Sequence, residues 1–381
     1  MAYFDNAATT WPKPESVYAY MDAFYRQHGA NVGRGAYEQV QSAGILVKDT
    51  RVQIQELLHC HSKQVVFTPT ATIALNIILQ GLCSMGKCNF YISPFEHNAV
   101  TRTLHHYEQA GIIMVRQLTV NKDLQYDLQR IRYQFEAEHP DVVVISHASN
   151  TIGLISPVDE IFRLAKRYEA ITVLDMAQTA ALVDCNVGLS IFDFAVFDGH
   201  KTMYGPTGIA GFVMKPDIKL PAIVFGGTGY DSANQDMPDS IPERYEMGTL
   251  NIAGIAGLYA ALDWHFKTGQ KTIFEKEQQN RRKLLQTLKD YDFIQVIGDV
   301  PERQYVGIVS CLMQGISSDS AGGVLAREGI SVRTGLNCAP LTHRFLGTYP
   351  AGTIRFSISY FTSDDDFTQL RSALDAIEDA L

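Results

Sequence analysis

A lysine follows a short apolar run that is typical of a buried strand. The run FDFAVF (192–197) leads directly into Asp198, Gly199, His200 and Lys201. At the carboxyl end of a buried strand a lysine lies in a low dielectric, which lowers the pKa of its ammonium and makes the amine a nucleophile able to form a Schiff base. Taken alone, such a lysine is more often a surface residue whose aliphatic part is buried. The neighbouring residues must therefore decide between this interpretation and a Schiff-base lysine.

A carboxylate ends a second apolar run. The run ITVLD (171–175) ends in Asp175, which Met176, Ala177 and Gln178 follow. A carboxylate at one strand end beside a Schiff-base lysine at another is the arrangement that pyridoxal phosphate requires, because the carboxylate keeps the pyridine nitrogen protonated and strengthens the electron sink. Without Lys201, Asp175 could equally be a helix N-cap.

Further polar groups follow other apolar runs. Thr68-Pro-Thr-Ala-Thr72 precedes the helical pattern IALNIILQGL, and hydroxyls with free amides at a helix N-terminus bind anions such as a phosphate, although the same cluster is an ordinary cap. His97 follows NFYISP, where an imidazole could stack on a planar ring and exchange protons, although a surface histidine is the plainer interpretation. Asn150 follows DVVVISHAS.

Seven apolar or β-branched runs must position these residues. They alternate with helical periodicity between residues 64 and 214, which predicts a mostly parallel sheet covered on both faces. Ligands of such sheets bind at the carboxyl ends of the strands, where the polar residues fall. The predicted strands are QVVF (64–67), NFYI (89–92), IIMVRQL (112–118), DVVVIS (141–146), ITVLD (171–175), FDFAVF (192–197) and IAGFVM (209–214).

The remainder of the chain predicts a second, smaller α/β domain after an irregular stretch. Residues 215–251 are rich in Gly, Pro and Asp and too long for a simple connection, and loops of that length are usually functional or interfacial. Beyond them, helical patterns at 253–267, 271–290, 318–328 and 363–380 interleave with the predicted strands DFIQVI, VGIVSCLM and TIRFSISY.

Composition excludes several classes of protein. With 381 residues, 46% hydrophobic and 19% charged, the chain is neither disordered nor fibrous, and its formal charge of −9 without a basic run argues against nucleic acid. No apolar stretch approaches the ~20 residues that span a bilayer, and the N-terminus does not read as a signal peptide, so we expect no membrane partner and a cytoplasmic protein. The six cysteines are sparse and irregular, which predicts reduced thiols and no metal site.

These blocks together resemble the cysteine desulfurases of the class V aminotransferase superfamily. The resemblance implies an α/β protein of fold type I, with a large cofactor-binding domain at 15–252 and a small domain formed by 1–14 and 253–381. It also implies pyridoxal 5'-phosphate as cofactor and a homodimer. The matching blocks are YFDNAATTWPKP (3–14), HGANVGRGAY (28–37), FEHNAV, SHASNTIG, DMAQTA, GHKTMYGPTGIAG, GTLN (248–251), RTGLNCAP (333–340) and TIRFSISYF.

The resemblance also implies a role for each matching residue. Lys201 would form the Schiff base, Asp175 would hold the pyridine nitrogen, Gln178 the phenolic oxygen, and His97 would stack on the ring. The remaining matches are phosphate contacts at Ala71, Thr72 and His200, a phosphate contact from Thr249 across the dimer, substrate-carboxylate contacts at Asn150 and Arg355, and Arg34 at the edge of the partner's active site.

Cys338 decides which reaction the family pattern implies. It lies in a polar loop between predicted strands, which suggests an exposed thiol whose thiolate attacks, whereas Cys311 within VGIVSCLM reads as a buried hydrophobe. The predicted activity is conversion of L-cysteine to L-alanine, with sulfur left as a persulfide on Cys338 for a protein that accepts it, and with His97 a candidate acid. The alternatives are a selenocysteine lyase or another class V enzyme acting on an amino acid, and a non-catalytic scaffold or binding subunit.

One residue departs from the family pattern. These enzymes usually carry Ser or Thr before Gly-His-Lys, where the hydroxyl donates to the phosphate, and this chain has Asp198. An ionised carboxylate cannot donate, and it repels a phosphate. We therefore expect that Asp198 stays protonated, or turns toward a cation such as a neighbouring arginine, or leaves the cofactor loosely held. All three predict that Asp198→Thr does not weaken cofactor binding.

Overall fold

The structure, a computed structural model, describes residues 1–33, 35–230 and 232–379. Its strands are β1 (Ala2–Tyr3), β2 (Gln64–Thr68), β3 (Asn89–Ile92), β4 (Met114–Gln117), β5 (Val142–Ser146), β6 (Ile171–Asp175), β7 (Phe194–Asp198), β8 (Ala210–Met214), β9 (Ile294–Ile297), β10 (Ile308–Met313), β11 (Ile330–Ser331), β12 (Arg333–Gly335) and β13 (Thr353–Ser357). Its helices are α1 (Glu15–His28), α2 (Glu38–Leu57), α3 (Ala71–Ser84), α4 (Asn98–Gln109), α5 (Leu128–Ala137), α6 (Val158–Lys166), α7 (Ile252–Thr268), α8 (Gln270–Lys289), α9 (Ser318–Arg327), α10 (Pro340–Leu346) and α11 (Asp364–Glu378).

The seven predicted strands form one sheet in the order β2-β8-β7-β6-β5-β3-β4, which confirms the predicted α/β fold. Six run in the same direction, and β8 alone is antiparallel to both of its neighbours. The connection between β7 and β8 contains no helix in the described chain. Because a parallel return needs a long crossover, such a connection brings the chain back antiparallel. Lys201 lies in this connection.

The sheet is buried on both faces, as its uninterrupted apolar runs predict. Every residue of β5 and β7 is buried. Val143 and Ile145 belong to one apolar cluster, whereas Val142 and Val144 belong to another, because alternate side chains of a strand point to opposite faces. Helices cover both faces, so the polar residues at the carboxyl ends of the strands are left at one edge of the sheet.

The second part of the chain is built on a four-stranded antiparallel sheet in the order β12-β13-β10-β9. The N-terminus joins it, since β1 pairs in parallel with β11 and Phe4 lies in the same apolar cluster as Leu284 and Phe356. The irregular stretch 215–251 has no helix or strand among its described residues. No helix in the described ranges is both long and apolar enough to cross a membrane.

The division of the chain at residue 252 stays a prediction. Helix α7 follows that position directly, and its residues Ile255 and Leu258 share an apolar cluster with Leu46 and Ile54 of α2. This packing favours a boundary after α7.

The loop that contains Cys338 differs in detail from the expected loop between two strands, because β12 precedes it and the short helix α10 follows it.

A buried carboxyl connects α8 to the loop that carries Lys201. Tyr204 is fully buried, and its hydroxyl donates to Glu277 Oε1 at 3.0 Å and accepts from the backbone N–H of Tyr360 at 2.8 Å. Burial raises the pKa of Glu277 from 4.5 to about 8, although the hydrogen bond from Tyr204 partly offsets this effect. The folded protein therefore holds a proton on Glu277 that the unfolded chain loses above pH 4.5.

We expect Glu277→Gln to stabilise the protein increasingly as pH rises. Glu277 contributes its full stability below pH 4.5, and that contribution falls as pH rises toward about 8, whereas glutamine does not titrate. Between pH 5 and 9 the difference in free energy of unfolding should move toward the variant by on the order of 3 kcal/mol, measured by urea denaturation. Glu275→Gln, at an exposed position of the same helix, is the control and should show no such trend. Parallel pH curves for Glu277→Gln and the parent would contradict the expectation.

Candidate active site

A small cavity lies at the carboxyl edge of the large sheet. It contains seven of the predicted site residues, brought together from β6, from the starts of α3 and α4, and from the segments that follow β5, β6 and β7. Its lining is Ala71, Thr72, Leu75, His97, Ala99, Ser146, Ala148, Asn150, Asp175, Ala177, Gln178, Asp198 and Lys201. The cavity therefore collects residues that are far apart in the chain, as expected where parallel strands end together.

Lys201 and the carboxylate of Asp198 lie close together in the cavity lining. Lys201 Nζ is 3.8 Å from Asp198 Oδ2, and the same oxygen is 3.2 Å from His200 Nε2. Burial alone would raise the pKa of Asp198, but the hydrogen bond from His200 and the charge of Lys201 outweigh it and hold the pKa below its usual value. Of the three expectations for Asp198, this geometry favours an ionised carboxylate that is turned toward Lys201 and His200 and not toward an arginine.

Asp175 ends β6 as a buried carboxyl with one free oxygen. The backbone N–H of Ala177 donates to Oδ1 at 2.9 Å, while Oδ2 makes no hydrogen bond within the described residues. This is a turn contact and not a helix cap, because no helix follows β6 directly. Burial raises the pKa of Asp175, the hydrogen bond from Ala177 lowers it, and the charge of Lys201 also favours the ionised form.

His97 is the N-cap of α4, and its ring is fixed by that role. Nδ1 accepts from the backbone N–H of Ala99 at 3.0 Å, so the ring proton of the neutral imidazole is on Nε2. Burial, followed by the charge of Lys201, lowers the pKa of His97 from 6.5 to about 4. A neutral ring at physiological pH suits stacking on a planar ligand, and any proton it donates comes from Nε2.

The start of α3 offers backbone donors to the cavity. Thr70 caps the helix by accepting from the N–H of Ile73 at 3.2 Å. The N–H groups of Ala71 and Thr72, both in the cavity lining, make no hydrogen bond in the part of the chain that the structure describes. Free N–H groups at the positive end of a 14-residue helix suit an anionic group.

Gln178, Asn150 and Arg355 are held by buried polar contacts. Gln178 Nε2 donates to the carbonyl of Ala7 at 2.9 Å. Asn150 Nδ2 donates to the carbonyl of Asn337 at 2.6 Å, and the carbonyl of Asn150 accepts from Arg355 Nη1 at 2.9 Å. Asn150 Oδ1 and Arg355 Nε are buried without a partner in the described chain. Arg355 thus lies next to the cavity lining rather than in it.

Asp5 is a residue of this region that sequence analysis did not assign. Its Oδ1 accepts from Arg355 Nη2 at 3.0 Å, and its Oδ2 accepts from Arg333 Nη2 at 2.7 Å. The carboxylate thereby neutralises an arginine that is only 3% exposed. Asp5 belongs to the matching block YFDNAATT, but nothing in its local sequence indicates partners more than 300 residues away.

Cys338 is exposed at the side of the cavity. A groove lined by Cys338 shares Thr72, His97 and Ala99 with the cavity lining. The loop is attached through main-chain oxygens, because the carbonyl of Cys338 accepts from the N–H of Asn98 at 2.7 Å and that of Asn337 accepts from Asn150. By contrast Cys311 is fully buried, and burial raises the pKa of its thiol to about 12.

The backbone at Cys338 is left-handed, which predicts an unusual response to glycine. Cys338 has φ of +56° and follows Asn337 at +47°. A side chain costs roughly 1–2 kcal/mol in this conformation and glycine does not, so Cys338→Gly should be more stable than Cys338→Ala by about 1 kcal/mol in urea denaturation. At Cys311, within β10, the alanine variant should instead be more stable than the glycine variant. If the glycine variant were less stable than the alanine variant at both positions, the left-handed geometry at Cys338 would be contradicted.

Besides Cys338 and Arg355, three predicted residues lie apart from the cavity lining or outside the described chain. His200 contacts Asp198 but does not itself line the cavity. Thr249 is exposed in the irregular stretch 215–251, and its contact across a dimer stays a prediction. Arg34 lies outside the described residues.

The comparisons with known proteins agree with this fold. The family model for aminotransferase class-V matches residues 2–370. A probable cysteine desulfurase of Methanothermobacter thermautotrophicus is 30% identical, with 98% of this chain and 94% of the relative aligned. A probable cysteine desulfurase of Vibrio cholerae is 28% identical, with 100% and 94% aligned. The apo structure of a cysteine desulfurase from Thermococcus onnurineus matches with a TM-score of 0.92 at 26% identity, covering 100% of this chain and 95% of that one.

The chain belongs to the aminotransferase class-V family. Within it, the chain is similar over its whole length to cysteine desulfurases. The family and the fold predicted from the sequence blocks are thereby confirmed, and the family is one of enzymes.

Proposed function

We propose that this protein is a pyridoxal-phosphate-dependent cysteine desulfurase, which converts L-cysteine to L-alanine and leaves sulfur on Cys338. The observation that carries the proposal is that the cavity and the neighbouring groove share lining residues. The cavity with Lys201 and Asp175 and the groove with Cys338 share His97. A lysine amine, a buried carboxyl and an exposed thiol around one imidazole are the groups that this reaction needs.

The residues present fit pyridoxal phosphate. The free N–H groups of Ala71 and Thr72 suit its phosphate, Asp175 Oδ2 suits its ring nitrogen, and the amine of Lys201 suits its aldehyde. His97 offers a neutral ring for stacking, and Gln178 retains an N–H beyond its bond to Ala7 for the phenolic oxygen. When bound, the cofactor supplies an electron sink for the electron pair released at the substrate α carbon.

The chain's own residues account for the remaining chemistry. Arg355 and Asn150 bind the substrate carboxylate, for which the unpartnered Arg355 Nε and the second N–H of Asn150 Nδ2 are suited. Lys201 Nζ, once released, removes the proton from the substrate α carbon. The Cys338 thiolate forms a bond to the substrate sulfur while the bond from that sulfur to the β carbon breaks. The electron pair stays on the substrate, which takes up the proton that Lys201 Nζ removed, because the lowered pKa of His97 does not suit its expected role as the acid.

We also propose a homodimer in which Thr249 and Arg34 reach the partner's site. Large apolar side chains are exposed at positions close in the sequence to these residues: Tyr37 is 57% exposed, Phe225 74% and Tyr230 58%. Exposed apolar side chains of this size support a surface that a second copy covers. A cytoplasmic location and a protein that accepts the sulfur from Cys338 stay predictions.

A single assay tests the function. Purified protein with pyridoxal phosphate and L-cysteine should form alanine, with sulfide released in equal amount only when a reductant regenerates Cys338. Selenocysteine is compared at the same concentration. Alanine from selenocysteine alone would replace the proposal with a selenocysteine lyase, and a protein that stays colourless with pyridoxal phosphate would indicate a scaffold subunit.

A further inference from the structure

Asp198 and His200 form a buried pair with two unsatisfied atoms. Asp198 lines the cavity and is 6% exposed, and its Oδ2 is 3.2 Å from His200 Nε2. Asp198 Oδ1 and His200 Nδ1 are both buried without a hydrogen-bond partner in the described chain. Unsatisfied buried polar atoms are costly. An imidazole Nδ1–H needs an acceptor, which a phosphate oxygen supplies, whereas Asp198 Oδ1 needs a donor. His200 Nδ1 is therefore the atom that points to an anionic ligand.

Four other titratable side chains lie around this pair. Lys201 Nζ is 3.8 Å from Asp198 Oδ2. Lys13 donates to the carbonyls of Thr10 and His200 and so stays on the backbone, and burial lowers its pKa to about 8. His97 from the start of α4 is neutral, and Asp175 from β6 adds a second carboxyl to the same cavity. In the cofactor-free protein Lys201 is thus the lysine within 4 Å of Asp198, and His200 is the neighbouring side chain that can take up a proton.

Cofactor attachment changes this balance. Lys201 is the amine that binds the cofactor aldehyde, so its ammonium is no longer free to pair with Asp198. The phosphate brings further negative charge to a cavity that already holds Asp198. Two unit charges ~4 Å apart repel strongly even at an effective dielectric of ~20, so an adjacent cation must compensate. His200 is the remaining cation-forming side chain in contact with Asp198.

We propose that Asp198 and His200 act as one phosphate-binding pair, in which the carboxylate and the phosphate together hold a proton on the imidazole. The proposal rests on the proposed function, since it concerns its cofactor. The protonated imidazole donates to the phosphate through Nδ1, and the Asp198 charge is cancelled within the pair through Nε2. Asp198 is thus a positioning residue for His200.

Cofactor binding is then coupled to a proton. Binding takes up a proton on His200 whenever the free protein lacks one there, so affinity falls as pH rises. In Asp198→Thr a hydroxyl donates instead, and the affinity depends less on pH. The two proteins should bind equally near pH 6, and the variant should bind more tightly at pH 9, by up to about tenfold for each pH unit over which the parent takes up a full proton.

A double-mutant cycle isolates the pair. Dissociation constants for pyridoxal phosphate are measured at pH 8 by equilibrium dialysis for the parent, Asp198→Thr, His200→Gln and the double variant. His200→Gln should weaken binding about a hundredfold beside Asp198, because the carboxylate loses its cation, but by less than about threefold when combined with Asp198→Thr. Asp198→Asn, which keeps the shape of the side chain, should repeat the result for Asp198→Thr.

Calorimetric titration gives a second readout. Titrations with pyridoxal phosphate at pH 8 in buffers of different ionisation enthalpy count the protons taken up, and the parent should take up at least about half a proton more than Asp198→Thr. Equal effects of His200→Gln in both backgrounds, or equal proton uptake, would overturn the pair while cofactor binding stands. A parent protein that binds no pyridoxal phosphate at any pH would overturn the proposed function as well.

Discussion

Replacement of Lys201 by alanine is expected to abolish alanine formation from cysteine. The amine is both the attachment point of the cofactor and the base at the substrate α carbon, and no other lysine lines the cavity in the described chain. Loss of both roles should lower turnover by at least about 10³-fold. The protein should also lose the covalent link to the cofactor, measured as the absence of borohydride-fixed pyridoxyl label on the polypeptide.

Lys215→Ala provides a matched control. Lys215 also follows a strand of the large sheet, but it does so at the opposite edge, where its Nζ is 2.6 Å from Asp193 Oδ1. The control should keep its borohydride-fixed label and most of its turnover. A Lys201→Ala protein that is still labelled by borohydride would place the covalent attachment on a different lysine.

Cys338→Ser should separate the two halves of the reaction. The cavity does not include residue 338 in its lining, so the variant should bind the cofactor and respond to cysteine with a change in its visible spectrum. Sulfur transfer needs a thiolate, which serine cannot provide, so alanine release should fall by about 10³-fold or more. Mass spectrometry of the parent should find one added sulfur atom on the peptide that contains Cys338.

Cys88→Ser is the control for this substitution. Cys88 is the other exposed cysteine of the described chain, and it precedes β3 at the opposite edge of the sheet from the cavity. Its replacement should leave alanine release unchanged. Turnover at the parent rate in Cys338→Ser, or an added sulfur atom on Cys88 instead, would exclude sulfur transfer through Cys338.

The large sheet could be predicted from the sequence because its strands are short apolar runs buried on both faces. The same reasoning found Asp175 and Lys201, since polar residues that directly follow such runs must meet at one edge. Local patterns did not predict that β8 runs antiparallel, because strand direction depends on whether the connection can hold a crossover helix.

Contacts between distant segments could not be predicted from local patterns. The bridge from Asp5 to Arg333 and Arg355 joins the N-terminus to two C-terminal strands, and no local sequence signal records such a pairing. Whether Asp198 is protonated could not be decided from composition either, because the answer depends on the position of His200 Nε2. The role of Thr249 depends on a second copy of the chain.

The attachment of the Cys338 loop through carbonyl oxygens makes this residue a convenient reporter position. Because the loop's hydrogen bonds at 337 and 338 use main-chain oxygens, a dye or spin label on the sulfur leaves those bonds in place. Cys60, Cys83 and Cys311 are buried, and burial raises the pKa of the half-buried Cys185 to about 12, so maleimides should react with Cys88 and Cys338 first. In a Cys88→Ser background a single fluorophore would therefore lie in the groove beside the cavity, and its emission would report the binding of amino acids and the approach of an acceptor protein.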